Sequence, residues 1–89
     1  MYSVELASRA QRELRRVSES DRTRIAAALT ALEDEPRPGG AVKLKGALHR
    51  LRVGRYRIIY AVSDREKLVV ALKIARREKD TYNRLEELL

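Results

Sequence analysis

Residues 36–63 read PRPGGAVKLKGALHRLRVGRYRIIYAVS, and their spacing decides the fold. From Leu48 the apolar residues recur with a period of two, the signature of strands whose two faces differ. A strand over 47–53 places Leu48, Arg50 and Arg52 on one side and His49, Leu51 and Val53 on the other. After Gly54, a strand over 55–63 places Tyr56, Ile58, Tyr60 and Val62 on one side. Arg55, Arg57, Ile59 and Ala61 take the opposite side. Residues 63–66 form a turn. A third strand over 67–75, rich in β-branched and aliphatic residues, sets Leu68, Val70, Leu72 and Ile74 against Val69, Ala71 and Lys73. Each strand thus offers one apolar row. The opposite rows gather Arg50, Arg52, Arg55, Arg57 and Lys73 on one open face.

Upstream of this meander, Tyr2, Val4 and Leu6 alternate with Ser3 and Glu5, a short half-buried strand over 2–6. Ser8 with Gln11 three residues later matches a capping box at a helix start. The helix it opens carries Ala10, Leu14 and Val17 on one face. Residues 18–20 break it, and Ser20 caps a second helix reaching to about Glu35, with Ile25, Ala28, Leu29 and Leu32 as its apolar stripe. Two amphipathic helices joined by a short polar turn predict an antiparallel hairpin covering one face of the sheet. Pro36, Pro38, Gly39 and Gly40 end the helical region. A last helix from about Asp80 to Leu89 has Tyr82, Leu85 and Leu89 at helical spacing. The fold class is α+β: strand, two-helix hairpin, three-stranded antiparallel meander and C-terminal helix, in one domain over 1–89.

Charge is distributed unevenly over this scaffold. Residues 36–63 contain no acidic residue and seven basic ones: Arg37, Lys43, Lys45, Arg50, Arg52, Arg55 and Arg57. Outside them, thirteen basic residues meet thirteen acidic ones, so the whole formal charge of +7 sits in this stretch. A surface that serves only solubility mixes signs. A one-signed patch on adjacent strands is the footprint of a polyanion site. A solvated strand face is the plainer alternative.

The remaining composition narrows the class. A chain 44% hydrophobic and 37% charged folds as a soluble globule. No apolar run is long enough to span a bilayer, and the first fourteen residues lack the apolar core of a signal peptide. Without cysteine, disulfides and thiolate metal sites are excluded, which fits the cytoplasm. One His and no acidic cluster at ligand spacing point to chemistry with no metal and no cofactor.

Arg suits phosphate because its planar fork donates two parallel hydrogen bonds and stays charged at any working pH. Cutting a phosphodiester without a metal needs a nucleophile from the substrate, and RNA supplies its 2′-hydroxyl. Tyr82, folded against this charge, would have its phenolate favoured and could move the proton; equally, its ring could simply pack on the sheet. His49 has the pKa of a general acid or base, but its strand position lies on the inward row, which suits a structural or rim role.

The motif Gly54-Arg55-Tyr56-Arg57-Ile58-Ile59-Tyr60, the Arg-rich turn leading to a Tyr, the Ala10–Leu14 helix and Lys43-Leu44-Lys45-Gly46 together resemble the RelE/ParE superfamily of toxin–antitoxin toxins. The resemblance spans nearly the whole chain, in the same order of elements. It implies a sheet of about four strands with helices packed on one face. RelE-like members cleave mRNA in the ribosomal A site without a metal, by attack of the 2′-hydroxyl on the adjacent phosphate. By motif, their functional set falls on Arg50, Arg52, Arg57, Arg77 and Tyr82. Lys43, Lys45, His49, Arg55, Lys73 and Arg76 would add RNA contacts. ParE-like members share the fold, act on DNA gyrase and typically lack the basic-plus-Tyr set. The resemblance also implies mRNA and the 30S A site as partners, with an acidic, RelB-like antitoxin that silences the toxin.

Overall fold

The computed structural model describes residues 1–76. The chain forms β1 (Ser3–Leu6), α1 (Ser8–Arg15), α2 (Glu19–Ala31), β2 (Val42–Lys45), β3 (Leu48–Val53), β4 (Tyr56–Ser63) and β5 (Leu68–Arg76). The helix expected over residues 80–89, with Arg77 and Tyr82, lies outside the described residues.

The strands make one open five-stranded sheet in the order β1-β5-β4-β3-β2. β2 through β5 are antiparallel neighbours, and β1 lies parallel to β5, with Val4 opposite Val69 and Leu6 opposite Ala71. The α1–α2 hairpin carries the chain across the sheet from β1 at one edge to β2 at the other. It packs the buried Ala10, Val17, Ile25, Leu29 and Leu32 against Ile58, Tyr60, Val62, Val69, Ala71 and Ile74. Fully burying a side chain of Ile or Leu size contributes about 1.5–3 kcal/mol, so this contact surface is what holds helices to sheet.

The strand β2 exceeds the expected set. Its four residues pair with β3 through Val42–Arg50, Lys43–His49 and Lys45–Leu48, leaving Leu44 as the extra residue of a bulge. Arg55 belongs to no strand. With Gly54 it forms the two-residue hairpin between β3 and β4, where Gly54 takes φ 58 and Arg55 does not enter positive φ. A glycine at the first of two turn positions is the signature of a hairpin whose twist matches its strands.

The largest correction concerns β5. An uninterrupted strand would put Leu68, Val70, Leu72 and Ile74 on one row. Instead Tyr60 pairs with Ala71 and Ile59 with Lys73, so Leu72 is an unpaired extra residue. A bulge of this kind reverses side-chain parity along the strand. Val69 and Ala71 therefore enter the core before it, and Ile74 after it.

The helix starts also differ. Ala7 takes the cap position of α1 without a side-chain bond, and Gln11 Nε2 donates to the Leu6 carbonyl at 2.9 Å. Ser18, not Ser20, precedes α2, donating to Asp21 Oδ2 at 3.2 Å, and α2 ends at Ala31 rather than near Glu35. No helix among the described residues is long and apolar enough to cross a membrane.

Candidate nucleic-acid interface

The basic face is built by register. Arg52 and Arg57 are direct cross-strand partners, Arg50 faces Ile59, and Ile59 faces Lys73 on the next strand. Directly opposite residues hold their Cβ atoms about 4.5–5.5 Å apart. Arg50, Arg52, Arg57 and Lys73 thus occupy one row system across β3, β4 and β5, and those strands carry no acidic residue. Two cations set directly opposite one another repel, which an anion laid across them relieves.

This face is less open than its pattern suggests. Arg57 is only 3% exposed, Lys73 8% and the intervening Ile59 4%. Arg52 is exposed and Arg50 half-buried. A buried, always-charged guanidinium is costly unless it is paired and hydrogen-bonded. Beside Arg50 and Arg52 the face opens into a groove of about 380 Å³, walled on the far side by Gly39, Gly40 and Val42.

Other residues read from the sequence as RNA contacts fall elsewhere. His49 lies on the row facing the helices, 5% exposed, its ring stacked on Tyr60 with centroids 5.5 Å apart. Its Nδ1 is 3.0 Å from the Ala47 carbonyl, and since that oxygen can only accept, Nδ1 carries the proton. Lys43 pairs with His49 and so shares its row, beside a separate hollow of about 390 Å³ that also touches Arg37 and Ala47. Lys45 pairs with Leu48, on the row of Arg50. Arg55 is exposed at the hairpin tip. Arg76 pairs with Tyr56 and so lies on the row opposite Arg57.

Arg37, counted within the basic stretch, is engaged elsewhere. Its guanidinium forks onto Asp64, at 3.1 Å to Oδ1 and 2.9 Å to Oδ2. The Tyr2 hydroxyl donates to the same Oδ1, and Lys67 Nζ lies 5.0 Å from the Tyr2 ring centre. The bond from Arg37, then that from Tyr2, holds the Asp64 carboxyl below its usual pKa, while bonding to Asp64 raises that of the Tyr2 phenol. Together with the Tyr60 hydroxyl, which donates to the Pro36 carbonyl at 2.9 Å, this clasp ties the start of the loop over 36–41 to the sheet. That loop walls the groove. Sequence periodicity carried no sign of the clasp, because it joins three loop or edge positions far apart in the chain.

A family model described as the ParE toxin of type II toxin–antitoxin systems (parDE) matches residues 4–81. Among solved structures, the RelE–RelB complex of Pyrococcus horikoshii OT3 is 29% identical, with a TM-score of 0.82, covering 88% of this chain and 97% of that one. The RelBE2 toxin–antitoxin complex of Mycobacterium tuberculosis is 24% identical at a TM-score of 0.76, over 85% and 98% of the two chains. The isolated RelE toxin of E. coli shares the fold over both full chains at 18% identity and a TM-score of 0.76. No curated protein matches. With 78 of its 89 residues under the family model, and this fold, the chain belongs to the RelE/ParE superfamily of toxins from type II toxin–antitoxin systems.

Proposed function

We propose that this toxin is a RelE-like endoribonuclease that cuts mRNA in the ribosomal A site, working in the cytoplasm. The observation that carries the reading is the register that sets Arg50, Arg52, Arg57 and Lys73 on one face of three strands free of acidic residues. In the reaction the 2′-oxygen forms a bond to the adjacent phosphorus as the bond to the 5′-oxygen breaks. A 2′,3′-cyclic phosphate and a 5′-hydroxyl result, the departing 5′-oxygen taking its proton from water. Arg57, held rigidly by burial, and Arg77 stabilise the doubly charged transition state, which fixed donors do without reorganising. Arg50 and Arg52 hold the flanking phosphates and the leaving oxygen, and the groove beyond them receives the strand. Arg cannot act as a base, so Tyr82 takes the 2′-hydroxyl proton. Lys43, Lys45 and Arg55 supply salt-dependent attraction to ribosomal RNA.

Control falls to a cognate antitoxin, as in the RelB complexes of the structural relatives. The charge calls for an acidic, helical segment of that partner laid on the basic face.

The name carried by the family model favours a second reading, a ParE-like inhibitor of DNA gyrase. Arg57→Ala and Arg50→Ala/Arg52→Ala separate the two. Under the nuclease reading both variants lose toxicity, and wild-type protein leaves supercoiling by purified gyrase intact. Inhibition of gyrase by wild type and by both variants alike would instead establish the binder.

A further inference from the structure

The backbone of β5 loses its neighbour halfway along. β1 pairs with it only as far as Leu6–Ala71, and the Ala7 amide closes that edge by donating to the Ala71 carbonyl at 2.9 Å. Leu72 is then the extra residue of the bulge. The amide of Ile74, just beyond, is answered from a helix: Glu13 Oε1 on α1 accepts it at 2.8 Å. Its other oxygen, Oε2, is 3.4 Å from Arg9 Nε. A single carboxylate thus stands in for the missing strand at the point where side-chain parity has just been reversed.

Parity there decides which residue meets the substrate. With the bulge at Leu72, Lys73 faces Ile59 on the basic side and Ile74 enters the core. A slip of one residue would exchange them, putting Ile74 on the basic face and a lysine among the apolar side chains. We propose that Glu13 is a positioning residue for the RNA site. By holding the Ile74 amide it locks the bulge and keeps Lys73 opposite Ile59, on the same face as Arg57. Glu13 touches no substrate; its effect passes through the backbone of β5. The inference rests on the reading of the basic face as an RNA site.

Three variants test it. Glu13→Ala removes the acceptor, Glu13→Gln keeps one, and Arg9→Ala removes the ion pair while leaving the amide bond. The readouts are exchange of the Ile74 amide by NMR, the salt dependence of binding to a short single-stranded RNA, and kcat and KM on translated message. In Glu13→Ala the Ile74 amide should exchange freely, and kcat should fall by about tenfold to a hundredfold, the size of effect that misplacement of a site residue produces. The slope of log affinity against log salt should shrink by about 0.7, one phosphate contact. Glu13→Gln should restore all three, and Arg9→Ala should match wild type. If Glu13→Ala does not fold, the Gln variant decides: a folded Gln protein with lost cleavage overturns the acceptor role. Glu13→Ala with the wild-type salt slope and kcat also overturns it. Wild-type protein that binds RNA without cutting it refutes the nuclease reading alone, and the salt slope still decides the role of Glu13.

Discussion

Lys73→Met separates what this lysine does for the fold from what it does for binding. Lys73 is 8% exposed and faces the buried Ile59. Burying an ammonium is costly, whereas burying its methylene stem is not. Met keeps a stem of similar volume and removes the charge. Swaps that conserve volume cost less than about 1.5 kcal/mol, so thermal unfolding should shift little. Binding to single-stranded RNA should lose one phosphate contact, lowering the slope of log affinity against log salt by about 0.7. Between 50 and 200 mM salt the advantage of wild type should then shrink by about 2.6-fold, a fourfold salt change raised to that power. Fluorescence anisotropy over a salt series measures it. An unchanged slope would refute the placement of Lys73 on the RNA face. The proposed role of Glu13 can be examined in the same assay: Lys73→Met and Glu13→Ala should not add, because both remove the same phosphate contact.

Further predictions concern the scaffold. Tyr60→Phe deletes the bond to the Pro36 carbonyl, a loss of about 1 kcal/mol, read as a fall in Tm of about 4–8 °C. Ile25→Ala empties a fully buried site under α2 and should cost about 2–5 kcal/mol in denaturant unfolding. Asp64 has its folded pKa depressed, first by the bond from Arg37. Its contribution to stability is therefore present above the ordinary carboxylate value near pH 4 and lost as pH falls through the lower folded value. Asp64→Asn should flatten that acid limb of Tm against pH and leave the pH 7–8 region with the smaller slope it already has; an unchanged acid limb would contradict the clasp.

Much of the architecture was legible because alternation carries it. Tyr56, Ile58, Tyr60 and Val62 turn inward as their period of two requires, and Arg50 and Arg52 turn to the other face. Three features escaped for physical reasons. VKLK in β2 is four residues long with two lysines, too short and too polar at an edge to announce a strand. The run LVVALKIA in β5 is apolar on both rows, so nothing in its pattern marks Leu72 as the extra residue, and the Ile74 amide just beyond it bonds Glu13, sixty-one residues away in the chain. Burial of Arg57 was hidden because arginine reads as a surface residue. At the site, Arg50, Arg52 and Arg57 share a face as the strand periods indicate, whereas Lys73 joins them only through the bulge at Leu72, since Val69 and Ala71 of its expected row turn into the core. His49 and Arg76 lie on the other row, a matter of parity that His49 already displayed in sequence. Arg77 and Tyr82 rest on the family motif.

The most direct measurement of the central claim is mapping of mRNA ends by primer extension after a brief pulse of the toxin without its antitoxin. The account predicts new ends within translated codons that disappear when translation of the same message is blocked, and that are absent with Arg57→Ala. Intact message in growth-arrested cells, with plasmid supercoiling falling, would contradict it.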